Sequence, residues 1–254
     1  MSLFKRVPSK EADAPISKAG IPESVEYKKS DSHEDFILGI GADGEEYDWT
    51  PSRESHLHVY GKTKSGKTRF LKNIIRHAYD HPEHWNVRII DTSGDLTHIA
   101  DNEFSNSQAV ATNHFDAWDL LQANLEDIRD TTLLMTEHNV STYLDLPEDV
   151  RPKASLLAID EVEDLLMNSG DNELDEKILE QIRKIQKVGA SSGIFLAISS
   201  FPSELTLTRA ASDIELKLYL GEYPDSVSAN SDIPGRFFDR TGFGSIRQWQ
   251  SVNS

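Results

Sequence analysis

The chain contains no cysteine. Disulfides and thiolate metal sites are therefore excluded, and the composition suits a reducing compartment such as the cytoplasm. Long apolar runs are missing too. No stretch approaches the length of a membrane span, and no secretory signal stands at the start. No internal repeat recurs. Basic residues are scarce: 26 Lys and Arg face 43 Asp and Glu, for a formal net charge of −17. A compact protein that grips nucleic acid over a broad face is normally basic. Nucleic-acid contact must then be local, made by a few loops or by assembly around a channel. The acidic surface equally suits a protein or peptide partner of basic character.

What is present is a globular composition. The 254 residues, 37% hydrophobic and 27% charged, suffice for one large domain with or without tails. Residues 1–34 are polar, rich in Ser, Lys, Glu and Pro, and lack apolar periodicity. A disordered tail or linker is expected there, with one domain over 35–254. The opening Met1-Ser2-Leu3 reads as a cloning remnant on a fragment of a longer protein. From Phe36 onward, short apolar runs alternate with helical patterns. Strands are expected at "HLHVYG", "NVRIID", "QAVAT", "ASLLAID", "GIFLAIS" and "IELKLYLG", with "SIRQWQ" as a last edge strand. Helices are expected at "TRFLKNIIRHA", over Ala117 to His138, and at "ELDEKILEQIRKIQKV". The alternation predicts an α/β fold with a mainly parallel central sheet covered by helices on both faces.

The chemistry concentrates in "GKTKSGKT", Gly61 to Thr68. It fits G-x-x-x-x-G-K-[ST], and a strand precedes it while a helix follows. Successive loop amides surround a β-phosphate, and the helix N-terminus adds its positive end. In that arrangement Lys67 reaches the β- and γ-phosphates and the Thr68 hydroxyl ligates Mg²⁺. The alternative is a glycine-rich surface turn with scattered lysines. A metal carboxylate is needed as well. "LLAIDEVEDLL" offers Asp160 for the Mg²⁺ shell and Glu161 as general base, at the carboxyl end of a buried strand. The same pair would also serve simply to cap and charge the next helix. Glu163 and Asp164 read as a solvated helix face. Ser199 and Ser200 are expected to leave their strand at one edge, sensing the γ-phosphate or capping the turn. His77, His81 and His84 have helix-like spacing, interrupted by Pro82, and favour a helix exit over a metal site. Arg183, Lys184 and Lys187 form a basic patch, either solvated or free to touch a phosphate.

Several stretches in order carry a family resemblance. They are the lead-in "LGIGADGEEYDWTPSRESHLHVYGKTKSGKT" with His56 and Leu57, "RIIDTSGDL" ending a strand near Asp91, "TTLLMTEHNVSTYLDL", "LLAIDEVEDLLM" and "KIQKVGASSGIFLAISSFPS". Together, from Ile37 to about Gln250, they resemble the motor domain of the FtsK/SpoIIIE family of RecA-like P-loop DNA translocases. The resemblance implies a hexameric ring that couples ATP hydrolysis to threading double-stranded DNA. It implies ATP and Mg²⁺ as cofactors. Carried over by position, Gly61, Lys62, Thr63, Lys64, Ser65, Gly66, Lys67 and Thr68 cradle the nucleotide, with Ser200 beside it. Thr68 and Asp160 serve the metal, and Glu161 with Lys67 carries catalysis. A cytoplasmic location follows, or the cytoplasmic portion of a membrane-anchored protein, without insertion of this chain into the bilayer.

Two positions depart from that family. Ala190 stands where an arginine usually reaches the neighbouring subunit's ATP, and Ser200 stands for a usual glutamine. A trans arginine is worth orders of magnitude in hydrolysis rate. Slow turnover is therefore expected unless Arg183 or Arg209 substitutes. No winged-helix segment follows "SIRQWQ". The tail "DIPGRFFDRTGFGSIRQWQS" also resembles the ATPase domains of type VII secretion, the EccC/EssC proteins. That resemblance implies the alternative of a secreted protein substrate and a catalytically degenerate site.

Overall fold

The structure is a computed structural model that describes residues 25–27, 29–41, 44–94, 96, 109–201, 210–211, 213–221, 236–240 and 246–253. Its centre is a parallel sheet. Strands β4 (Leu57–Gly61), β5 (Trp85–Ile90), β6 (Val110–Ala111), β7 (Ala154–Ile159), β8 (Ile194–Ser200) and β9 (Leu216–Leu220) lie in the order β9-β4-β8-β7-β5-β6, all parallel. Beyond β9 the sheet turns antiparallel through β10 (Arg236–Arg240), β11 (Ile246–Asn253), β2 (Phe36–Ile40) and β3 (Glu46–Trp49).

The expected fold class is the observed one, and several boundaries move. β11 is interior: it pairs with β10 and β2, and β1 (Val25–Glu26) runs parallel beside it. The expected edge strand is therefore flanked on both sides. β3 and β10 have no counterpart among the expected strands, and β2 falls in the apolar run that opens at Phe36. Residues 1–24 lie outside the described residues, but part of the expected 1–34 tail is attached to the domain. β1 pairs with β11, the Tyr27 hydroxyl donates to Asp80 at 2.5 Å, and the Arg76 guanidinium sits 4.6 Å from the Tyr27 ring centroid.

Helices close both faces. Helix α1 is a single turn, Pro51–Glu54, and α2 spans Lys67–Asp80. The i, i+1, i+4, i+5 pattern of Phe70, Leu71, Ile74 and Ile75 puts one apolar stripe of α2 on the sheet, where all four are buried against Leu57, Val59, Leu156 and Ala197. Side chains of opposite strand parity face the other way. There Ile159, Leu196 and Ile198 meet α3 (His114–Glu137), α4 (Val162–Met167) and α5 (Asn172–Val188). Helix α3 begins at His114, three residues before the expected start. The Asn113 side chain fixes that end by accepting from the amides of Phe115 and Asp116. The Asp171 carboxylate caps α5 likewise. Among the described residues no helix is long and apolar enough to cross a membrane.

Three buried histidines tie the layers together. His56 Nδ1 accepts from Leu196 N–H at 3.0 Å, so its Nε2 donates to the Gln186 carbonyl at 3.0 Å. Those partners fix the neutral tautomer. Burial holds His56 and His77 down to about 4 and His58 down to about 3. An imidazole depressed in the fold takes up its proton more readily in the unfolded chain. Stability is therefore intact above pH ~6.5 and lost as pH falls through the window down to about 4. His56 alone accounts for a loss on the order of 3 kcal/mol. Asp160, raised by burial, opposes this with the reverse sign. Urea titrations should show the midpoint dropping between pH 7 and 4.5, and a flat midpoint would contradict this account.

Candidate nucleotide-binding site

The connection from β4 runs over one side of the sheet to β5, whereas that from β8 returns to β9 on the other side of β4. The strand order reverses between β4 and β8, and ligands in such sheets bind in the crevice at the carboxyl ends there. Gly61 to Thr68 leaves β4 at that point. Gly61 ends the strand, and a Cβ on it would lie 2.5 Å from Ser65 Oγ and 2.8 Å from the Leu220 carbonyl. Only glycine fits that approach. Lys64 (φ 67°) and Gly66 (φ 101°) are left-handed, and Ser65 N–H closes a turn on the Lys62 carbonyl at 3.1 Å. The loop curls, and α2 starts at Lys67, one residue before the expected Thr68, with Gly66 as its N-cap.

Long-range contacts then assemble the rest. The Thr68 hydroxyl donates to Asp160 Oδ2 at 2.8 Å, across 92 positions of sequence. Lys67 is 5% exposed. Its ammonium donates to the Lys62 carbonyl at 3.3 Å and lies 5.9 Å from the Phe201 ring centroid. Asp160, 1% exposed at the end of β7, has its pKa raised by burial, with nearby Asp91 acting in the same direction. Hydrogen bonds from Ser199 and Thr68 and the Lys67 charge pull it back. A buried carboxylate beside a hydroxyl is a hard-oxygen donor pair, the chemistry a Mg²⁺ ion takes. The pair fits that ion, and Mg²⁺, when bound there, would neutralise charge on phosphate oxygens.

Glu161 follows directly and caps α4 in a left-handed conformation, φ 49° and ψ 61°. For a residue other than glycine that costs about 1–3 kcal/mol and is typical of functional positions. Its amide donates to Ser199 Oγ at 2.9 Å, while the Ser199 hydroxyl donates to Asp160 Oδ1. Ser199 thus bridges the two carboxylate residues. Ser200 does not join it. Both serines lie inside β8 and alternate faces, and Ser200 Oγ meets His58 Nε2 at 2.6 Å on the far side of the sheet. The expectation that both hydroxyls open to one edge is corrected. Strand parity was the available signal, since Ser199 shares the α2 face with Phe195 and Ala197.

Other expected residues fall as follows. Glu163 accepts from Phe201 N–H, and Asp164 accepts from Thr92 Oγ1 at 2.6 Å, so neither is the merely solvated face expected. Asp91 is occupied by its own loop, accepting from Ser93 Oγ, Gly94 N–H and Leu96 N–H. Sequence reasoning missed Phe201, whose ring stands over Lys67. Among the described residues no group of three or more His, Asp or Glu is placed to hold a metal. Arg183, Lys184 and Lys187 lie on the exposed side of α5, where Lys184 pairs with Glu180 at 2.8 Å. Ala190 sits in a 3₁₀ turn, Ala190–Ser192. Arg209 lies outside the described residues.

Parallel sheet, curled loop and the Thr68–Asp160 contact define an α/β domain with the RecA-like P-loop fold. Comparison with known proteins shows what the chain is similar to. No family model matches the chain. It is 27% identical over 211 residues to the transfer protein TraSA of Streptomyces ambofaciens, covering 70% of this chain and 49% of that protein. The chain thus spans about half the length of the curated relative it matches. The conjugation coupling protein TcpA of pCW3, solved as a monomer with ATPγS, superposes with a TM-score of 0.77 at 17% identity, over 92% of this chain and 71% of TcpA. ATPases 2 and 3 of Thermomonospora curvata EccC, in complex with a signal sequence peptide, give 0.68 at 17% identity, over 92% and 44%. EssC ATPases 2 and 3 from Geobacillus thermodenitrificans give 0.70 at 14% identity, over 97% and 48%. The resemblance to FtsK/SpoIIIE-type and EccC/EssC ATPases expected from the motifs is met by likeness to a transfer protein, a conjugation coupling protein and the EccC and EssC ATPases.

Proposed function

We propose that the chain is an ATP-hydrolysing subunit of a ring-shaped DNA translocase, hexameric and serving DNA transfer, on the cytoplasmic side of the membrane. The observation that carries this reading is the Thr68–Asp160 hydrogen bond at 2.8 Å, with Lys67 in the adjoining turn. The likeness to TraSA and TcpA supports DNA as the cargo. In this reading the amides of Thr63 to Lys67 hold the β-phosphate, and Lys67 leaves the Lys62 carbonyl for the β- and γ-oxygens. Thr68 and Asp160 would hold Mg²⁺, which would supply charge neutralisation at the phosphates. Glu161 takes the proton of the attacking water, and Ser199 keeps Glu161 and Asp160 in register. Turnover is slow unless Arg183 or Arg209 substitutes, because Ala190 supplies no arginine to a neighbouring subunit.

The likeness to EccC and EssC, together with the net charge of −17, favours a second reading, in which a secreted protein is the substrate. Steady-state ATPase assays separate the two. A DNA motor is stimulated by duplex DNA, and the stimulation fades steeply between 50 and 200 mM salt, since affinity for a duplex falls by ~10³-fold or more over that range for a protein making several phosphate contacts. Indifference to DNA with stimulation by a substrate peptide overturns the first reading.

A further inference from the structure

Helix α4 is six residues long, too short to hold its own shape in isolation. What it touches sets its position. Val162 and Leu165 anchor its buried side in the same core cluster as Ile198 of β8. Two carboxylates tether its polar side. Asp164 accepts from Thr92 Oγ1 at 2.6 Å, in the loop after β5. Glu163 reaches the other way and accepts from the Phe201 amide, at the exit of β8.

The Glu163 tether has a counterpart. Ser199, near the end of β8, accepts from the Glu161 amide at 2.9 Å and donates to Asp160. Two residues further along both segments, Glu163 returns the contact to Phe201. The exit of β8 thus lends a side chain to the turn after β7, and that turn lends one back. A single link between two segments is a hinge. A second link fixes their angle as well as their separation.

The clamp joins the two halves of the site. One half carries Glu161, whose left-handed backbone at φ 49° persists only where the surroundings impose it. The other carries Phe201, 44% exposed, with its ring centroid 5.9 Å from the Lys67 ammonium.

We propose that Glu163 is a positioning residue for hydrolysis. Its carboxylate, through the Phe201 amide, fixes the first turn of α4 on the exit of β8 and so keeps Glu161 in register with Lys67. This deepens the reading of Glu161 as the base and rests on it. The same side chain has a simpler competing role, since an acidic residue in a helix's first turn is stabilised by the positive helix end alone. The two roles ask different things of it. The clamp needs an acceptor oxygen at the right reach, and the helix end needs a negative charge.

Single-turnover hydrolysis of ATP with Mg²⁺ by the whole chain, beside calorimetric titration of ATPγS, separates them. Glu163→Ala is expected to cut the hydrolysis rate about tenfold to a hundredfold, the scale of a misplaced catalytic group. Its affinity for ATPγS should stay within about twofold of wild type, because the loss falls on the chemical step. Glu163→Gln keeps the acceptor oxygen without the charge, and should hydrolyse within about threefold of wild type. Added to Glu161→Gln, Glu163→Ala should cost nothing further, since no base is left to position. Equal losses in Glu163→Ala and Glu163→Gln would assign the effect to charge and overturn the clamp. A further fall in the Glu161→Gln background overturns it as well. A wild-type rate in Glu163→Ala beside an inactive Glu161→Gln overturns the clamp alone, whereas a wild-type rate in Glu161→Gln overturns the base and the clamp with it.

Discussion

Replacing Lys67 with alanine is expected to weaken ATP binding by about tenfold to a hundredfold, the worth of a charge-assisted hydrogen bond of about 1.5–3 kcal/mol. Hydrolysis should fall further, by about 10²–10³ more, because the ammonium also meets charge that develops on the γ-phosphate oxygens. The argument rests on where the side chain now stands. Lys67 is buried beside the Asp160 carboxylate on which its charge acts, and its direct contacts are weak: a backbone carbonyl at 3.3 Å and an aromatic ring centroid at 5.9 Å. Neither matches a polyphosphate, so a bound nucleotide takes the ammonium at little cost. For the same reason the substitution should leave the melting temperature of the free protein nearly unchanged. Isothermal titration with a non-hydrolysable ATP analogue reads the affinity directly. Unaltered binding in Lys67→Ala would show that the curled loop does not hold the phosphates.

Much of this was legible because the informative signals are local. Alternating apolar runs marked the parallel strands, and the 3.6-residue stripe of Phe70, Leu71, Ile74 and Ile75 marked α2. The loop and the Asp160–Glu161 pair were readable as motifs. The misreadings have physical causes. Pairing partners of a strand are set by tertiary register, so "SIRQWQ" looked like an edge although β1, β2 and β10 surround it. Residues 25–34 lack apolar periodicity because β1 is two residues long and Tyr27 is held by one hydroxyl and one ring contact. Ser199 and Ser200 are adjacent and chemically identical. Only the pleat separates them, sending one to Asp160 and the other to His58. Glu163 looked solvated because its partner, the Phe201 amide, lies 38 positions away.

Converting Glu161 to glutamine is expected to keep ATP binding and cut hydrolysis by about 10²–10⁴, the range of a general base. Glutamine has the same shape and cannot take the proton. The backbone at this position sharpens the expectation. Glu161 is held left-handed at φ 49°, with its amide fixed on Ser199 Oγ at 2.9 Å. That strain, of about 1–3 kcal/mol, persists only where the surroundings impose it. Glutamine inherits it unchanged, so the Gln variant should melt at the wild-type temperature. Glycine is relieved of it, against about 0.5–1 kcal/mol of extra backbone entropy in the unfolded chain. Glu161→Gly should therefore melt no lower than Glu161→Gln while being equally inactive. A position where the fold gains and the chemistry loses is one shaped by the chemistry. If Glu161→Gln hydrolyses ATP at the wild-type rate, the base lies elsewhere. If Glu161→Gly instead melts well below Glu161→Gln, the left-handed turn is not strained and the conformational part of the argument fails with it.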